Sequence, residues 1–123
     1  MAMIRATQSG SQPQETSLWS SSATTFAQST ITLSQAYTDF DYIKIKFLSH
    51  STATNYYETI IPTSCTNGAI GGKYSTIYFT RPIEFTASTS LFIGGAYQYS
   101  SSNANNGRMI PREVIGIKTN VVL

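Results

Sequence analysis

Between Tyr42 and Leu48 apolar and charged side chains alternate strictly: Ile43, Ile45 and Phe47 on one parity, Lys44 and Lys46 on the other. Successive side chains of a strand point to opposite faces, so this spacing buries the first set and leaves the lysines in water. A face of that kind needs a second layer to bury it, and the rest of the chain has to supply that layer from similar short runs. Ser49-His50-Ser51-Thr52 turns the chain into residues 55–61, a strand carrying Tyr56, Tyr57, Ile60 and Ile61. Pro62 ends that strand or puts it at a sheet edge, since proline has no ladder N–H.

Comparable runs recur along the chain. Residues 24–33 carry Phe26, Ile31 and Leu33, and residues 73–79 carry Ile77 and Phe79 on one face. Pro82 interrupts the latter strand, with a break or bulge expected at Arg81-Pro82 before Ile83-Glu84-Phe85 resumes it. Residues 90–99 read as one strand with Gly94-Gly95 in its middle, a signal for a bulge, a bend or a close backbone approach. The last strand, 110–118, puts Ile115 and Ile117 inward. Thr66-Asn67-Gly68 and Gly71-Gly72 read as turns, and residues 34–41 hold a helical turn at most. Roughly seven or eight strands at about ten-residue spacing predict an all-β fold: an antiparallel two-sheet β-sandwich, jelly-roll-like. The domain covers residues 17–123, behind a polar, aperiodic arm or linker at 1–16.

Only 11% of the 123 residues are charged, and 17 serines and 17 threonines take up the difference. So polar a chain invites a reading of disorder. Its 8 tyrosines, 6 phenylalanines and many isoleucines oppose it, because they supply the apolar mass that offsets ordering entropy. The net charge of +2 is spread over isolated residues, without the basic stripe that nucleic acid requires. A lone cysteine, Cys65, forms no internal disulfide or cysteine-based zinc site, and its expected state is a buried, inert thiol. No apolar run is long enough to span a membrane, and without a signal-peptide h-region after Met1 the expectation is a chain not exported by the usual secretory route.

Several short motifs stand in a recognisable order: Leu18-Trp19, Ile31-Thr32-Leu33, Asp41 leading into the alternating strand, an Asn/Ser-rich loop, then Ile110-Pro111 and Ile115-Gly116-Ile117-Lys118. In this order the chain, over about residues 16–118, resembles small β-sandwich modules of bacteriophage tail, tail-fibre and baseplate proteins. The resemblance implies a virion protein made in the host cytoplasm, trimeric at a fibre tip, in contact with other virion proteins and with the host surface. It carries over no set of binding residues.

The residues themselves offer one candidate ligand site: Tyr97, Tyr99, Asn103, Asn105, Asn106 and Arg108, with Tyr56 and Tyr57 as neighbours. Sugars present C–H faces that stack on aromatic rings and hydroxyls that pair with amide or guanidinium groups. The competing reading is a solvated loop beside half-buried strand tyrosines. Trp19 reads as a core or subunit-interface anchor, and with Val121, Val122 and Leu123 it forms a candidate subunit contact. Asp39-Phe40-Asp41 lacks the surrounding oxygens of a cation loop and reads as turn and capping residues. The single histidine, His50, has no triad signal beside it, and Glu58, Glu84 and Glu113, strand residues that could in principle converge, fit solvent-facing or ion-paired roles better. The expectation is a non-enzyme without metal or cofactor that binds host-surface carbohydrate as a homotrimer. A capsid decoration or head-fibre protein without glycan binding, and a carbohydrate-binding module of a bacterial enzyme, are the alternatives.

Overall fold

A computed structural model of the chain describes residues 13–98 and 103–119. The arm expected at 1–16 falls largely outside them, as do Tyr99, Val121, Val122 and Leu123. Two antiparallel sheets pack face to face. One is four-stranded, in the order β1 (Gln14–Ser20), β9 (Arg108–Lys118), β3 (Tyr42–His50), β4 (Tyr56–Pro62). The other is five-stranded, in the order β2 (Ser29–Thr32), β7 (Ser90–Ile93), β6 (Ile77–Ala87), β5 (Asn67–Tyr74), with the short β8 (Tyr97–Gln98) also paired to β6. The fold is an all-β antiparallel sandwich. Its outer wrapping is jelly-roll-like: β1 and β2 pass to opposite sheets and lie beside β9 and β7, while tighter connections join β3 to β4 and β5 through β7.

The core forms where the expected alternation meets its counterpart. Ile43, Ile45 and Phe47 of β3 and Ile61 of β4 face Ile70, Phe79, Ile83, Phe85, Leu91 and Ile93 of the other sheet. Each side chain of this size contributes about 1.5–3 kcal/mol on full burial. Lys44 lies on the opposite face, where it bonds Glu15 at 3.0 Å and lies 3.8 Å from Glu58. The hydrogen bond to Glu15 is the main reason its ammonium pKa is raised. Gln14, Glu15 and Thr16 are therefore part of the sheet, paired with Lys118, Ile117 and Gly116.

Several local expectations need correction. Ile45 is opposite Val114, and Lys44 is opposite Ile115. Directly opposed residues share a face, so Val114 enters the core and Ile115 is buried on the outer side. The glycines at 68, 71 and 72 lie inside β5 rather than in turns. A Cβ on Gly71 would stand 3.0 Å from the Phe79 carbonyl, and one on Gly68 would stand 3.1 Å from Ile61 Cδ1. Here glycine serves close packing, and the turn falls at Ser75, whose φ is 59°. The strand expected over 73–79 is thus divided between β5 and β6. The run expected at 24–33 contracts to β2, with Phe26 in the preceding loop. Cys65 is exposed in the β4–β5 connection, where its N–H reaches the Pro62 carbonyl.

Pro82 does not interrupt β6. It sits between the stretch of β6 that pairs with β7 and the stretch that pairs with β8. The missing N–H costs the ladder little at that gap. The run expected at 90–99 divides there instead, into β7 and β8, with Gly94, Gly95 and Ala96 between them. This division brings the described residues to nine strands.

Candidate functional site

β6 alternates Phe79, Arg81, Ile83 and Phe85 inward with Tyr78, Thr80, Pro82 and Glu84 outward. Arg81 is fully buried, and among the described residues only backbone carbonyls receive it. Its Nε donates to Met109 at 2.8 Å and Arg108 at 3.2 Å. Nη1 donates to Gly94 at 2.9 Å, and Nη2 to Phe26 at 2.7 Å and Arg108 at 3.0 Å. The Phe26 ring lies 5.3 Å from Cζ. Burial pushes the guanidinium pKa down to about 10, so it remains charged at neutral pH. One cation thereby ties three connections to the inner face of β6: the loop before β2, the break after β7 and the entry to β9. Met109 is held there at φ 46°, in the left-handed region, with its side chain in the core.

On the other side of β6 lies an open groove of about 550 Å³, lined by Ala69, Tyr78, Thr80, Pro82, Tyr97 and Gln98. Register explains the grouping. Ala69 is opposite Pro82, and Tyr97 is opposite Thr80. Tyr97 and Tyr78 are thus diagonal neighbours on one outer face. Both remain open to solvent, Tyr78 at 59% and Tyr97 at 40%. Among the described residues no charged side chain lines this groove. Its chemistry is two rings, an apolar floor of Pro82 and Ala69, and the polar ends of Thr80 and Gln98.

Tyr78 also borders a second groove, of about 560 Å³, with Phe47, Tyr57, Glu58, Thr59, Gly71, Gly72 and Lys73. This one opens between the edge strands β4 and β5, at the mouth of the sandwich. Tyr57 meets Phe47 edge-on at 5.9 Å, and its ring lies 3.6 Å from where a Cβ on Gly72 would stand.

The expected site is divided among different surfaces. Tyr97 enters the first groove and Tyr57 the second. Tyr56 lies on the outer side of the four-stranded sheet, with Lys46 over its ring at 4.9 Å. Arg108 joins neither groove: its Cζ stacks 3.9 Å from the Tyr74 ring, against whose other neighbour, His50, the ring spacing is 4.6 Å. The Nε of Arg108 is buried without a hydrogen-bond partner among the described residues. Asn105 organises its own loop: its N–H donates to the Ala96 carbonyl, and its Oδ1 accepts from Gly107. The Asn106 carbonyl accepts from the Phe26 N–H. Asn103 is exposed in that loop. Tyr99 lies outside the described residues.

Tyr78 and Pro82 were missed by sequence reasoning. Their signal was present as the outward parity of β6, but Arg81 in the inward series and Pro82 in the outward one disguised the strand. Trp19 is half-buried against the core, with Phe26 edge-on at 6.2 Å. Ser49 Oγ and His50 Nδ1 share a hydrogen bond of 2.8 Å, and no carboxylate bonds to that histidine among the described residues.

No protein-family model matches this chain, and no curated protein sequence matches it.

Proposed function

We propose that this β-sandwich is a carbohydrate-binding module rather than an enzyme, and, on the resemblance noted above, one carried at the tail or fibre tip of a phage virion. The observation that carries the binding reading is the uncharged groove between Tyr78 and Tyr97. Rings of this kind offer flat, rigid area at low entropic cost, and the absence of charge suits a neutral sugar ring. Thr80, Gln98 and the two phenol hydroxyls supply donors and acceptors at its rim. Each such site binds weakly, and a trimer would multiply the affinity by about 10²–10⁴ through avidity.

A glycan array followed by titration calorimetry tests this reading. Tyr78→Ala and Tyr97→Ala should each weaken binding by tenfold or more while the circular dichroism spectrum stays unchanged. Arg108→Ala, outside the groove, should leave affinity within about twofold. A protein that binds no array glycan at millimolar concentration, or whose tyrosine variants bind like the parent, is not a lectin of this kind.

A structural role without glycan binding, as in a capsid decoration or head-fibre protein, draws support from a different face. Tyr42 and Ile60 are exposed on the outer side of the four-stranded sheet, near the buried Ile115, and such a surface suits contact with a neighbouring subunit. The glycan array separates the two cases, and light scattering tests the trimer. A monomer at high concentration removes the trimer from the proposal, whichever ligand is bound.

A further inference from the structure

We infer that the two grooves beside Tyr78 form one continuous, curved strip that takes an internal stretch of a soluble, linear, uncharged glycan rather than a terminal sugar. This rests on the carbohydrate reading of the Tyr78–Tyr97 face. Three observations extend it.

Tyr78 is a shared wall, lining both grooves, and stands more exposed than any other large hydrophobic residue described. The grooves also meet through the backbone: Gly71 lines the second and is opposite Thr80, which lines the first. Gly71 has no side chain to raise a barrier between them. Each groove alone falls within the 300–1,000 Å³ usual for a small-ligand pocket, so together they exceed what one sugar ring fills.

The strip is bent. Ala69, Thr80, Pro82 and Tyr97 belong to the outer face of the five-stranded sheet, whereas Phe47, Tyr57 and Gly72 belong to the inward parity at the mouth of the sandwich. A bound chain has to turn around the edge strand β5. A single flexible glycan can follow that path, and the planar face of a crystalline polysaccharide cannot touch both ends. The charges at the far end are one of each sign, Lys73 and Glu58. That end therefore gives no net preference for an acidic polymer.

The experiment is titration calorimetry of the full chain with malto-, cello- and chito-oligosaccharides of two to six units, beside the glycan array. In at least one series affinity should rise more than tenfold from two units to six. Tyr97→Ala should weaken every length. Tyr57→Ala should weaken the six-unit ligand at least fivefold and leave the two-unit ligand unchanged. Tyr57→Leu, which keeps an apolar contact to Phe47, should do the same if loss of that contact compromises folding of the alanine variant. Microcrystalline cellulose and chitin should not retain the protein. Affinity independent of length, array binding confined to terminal branch sugars, indifference of the six-unit ligand to both Tyr57 variants, or retention on crystalline polymer would each overturn the curved strip while leaving a glycan site in place. No binding to any ladder or array glycan removes the carbohydrate reading itself, and the strip with it.

Discussion

A Cβ placed on Gly94 would stand 2.6 Å from Cγ of Pro82, well inside contact distance. The Gly94 N–H donates to the Pro82 carbonyl at 2.8 Å, so the two backbones are drawn together as well. The proline that floors the first groove is seated on the glycine where β7 gives way to β8. Gly94→Ala forces one of them to move, and overpacking of this kind costs about 1–3 kcal/mol. Urea denaturation should show a midpoint lowered accordingly. An unchanged midpoint means that the close seat of Pro82 contributes nothing to stability.

Among the described residues Arg81 meets no carboxylate, and its attachment is to main-chain oxygens alone. Arg81→Met keeps much of the volume but leaves the carbonyls of Phe26, Gly94 and Met109 without their donor, a loss of about 3–5 kcal/mol. Arg81→Lys keeps a charge with three donors in place of a planar fork, and should cost less than methionine. Equilibrium unfolding of the two variants gives the order. Methionine as stable as arginine would mean that the buried cation does not tie the three connections together.

Trp19 reaches Arg81 through one intermediary: its indole meets Phe26 edge-on, and Phe26 lies under the guanidinium. The side chain is only half-buried, so Trp19→Ala should cost about 2–3 kcal/mol, at or below the low end of the range for a large aromatic. A melting temperature equal to that of the parent would exclude an anchoring role for this residue in the single chain.

Asp41 carries a pH dependence of known sign. The Thr119 hydroxyl at 2.7 Å, and then its amide at 2.8 Å, hold the Asp41 carboxyl below its ordinary value of 3.8. A depressed carboxylate pKa contributes stability that is present above the unfolded value and is lost as pH falls through the folded one. The group is exposed, so the contribution is small and local to the end of β9. The Thr119 amide resonance should titrate with a midpoint below 3.8 by NMR. A midpoint at or above that value contradicts the hydrogen bonds, and Thr119→Val should raise it.

The alternation at Ile43, Ile45 and Phe47 was legible because it is local: parity alone decides which face a strand residue joins. Tyr97 and Tyr57 were legible as ring-bearing candidates for the same reason. Their separation from Arg108 was not, since only the pairing of β9 with β3 carries Arg108 to His50 and Tyr74. The β5 glycines misled because a glycine that admits a neighbouring side chain and one that turns the chain look alike in one dimension. Pro82 misled in the other direction. It reads as a strand breaker, and it is harmless where β7 has ended and β8 has not begun.

The chain by itself determined the class of the fold, because period-two runs of apolar residues have to face a second layer and nothing in them suits a helix. It also holds one histidine, one cysteine and scattered carboxylates, the inventory from which a non-enzyme is expected. The tertiary structure alone decided what stands beside what. It buried Arg81 in a cage of carbonyls, seated Pro82 on Gly94, and placed Tyr78 beside Tyr97 on an open face. Such neighbours come from strand order and register, which are fixed by contacts between residues far apart along the chain and leave no mark in any short stretch of it.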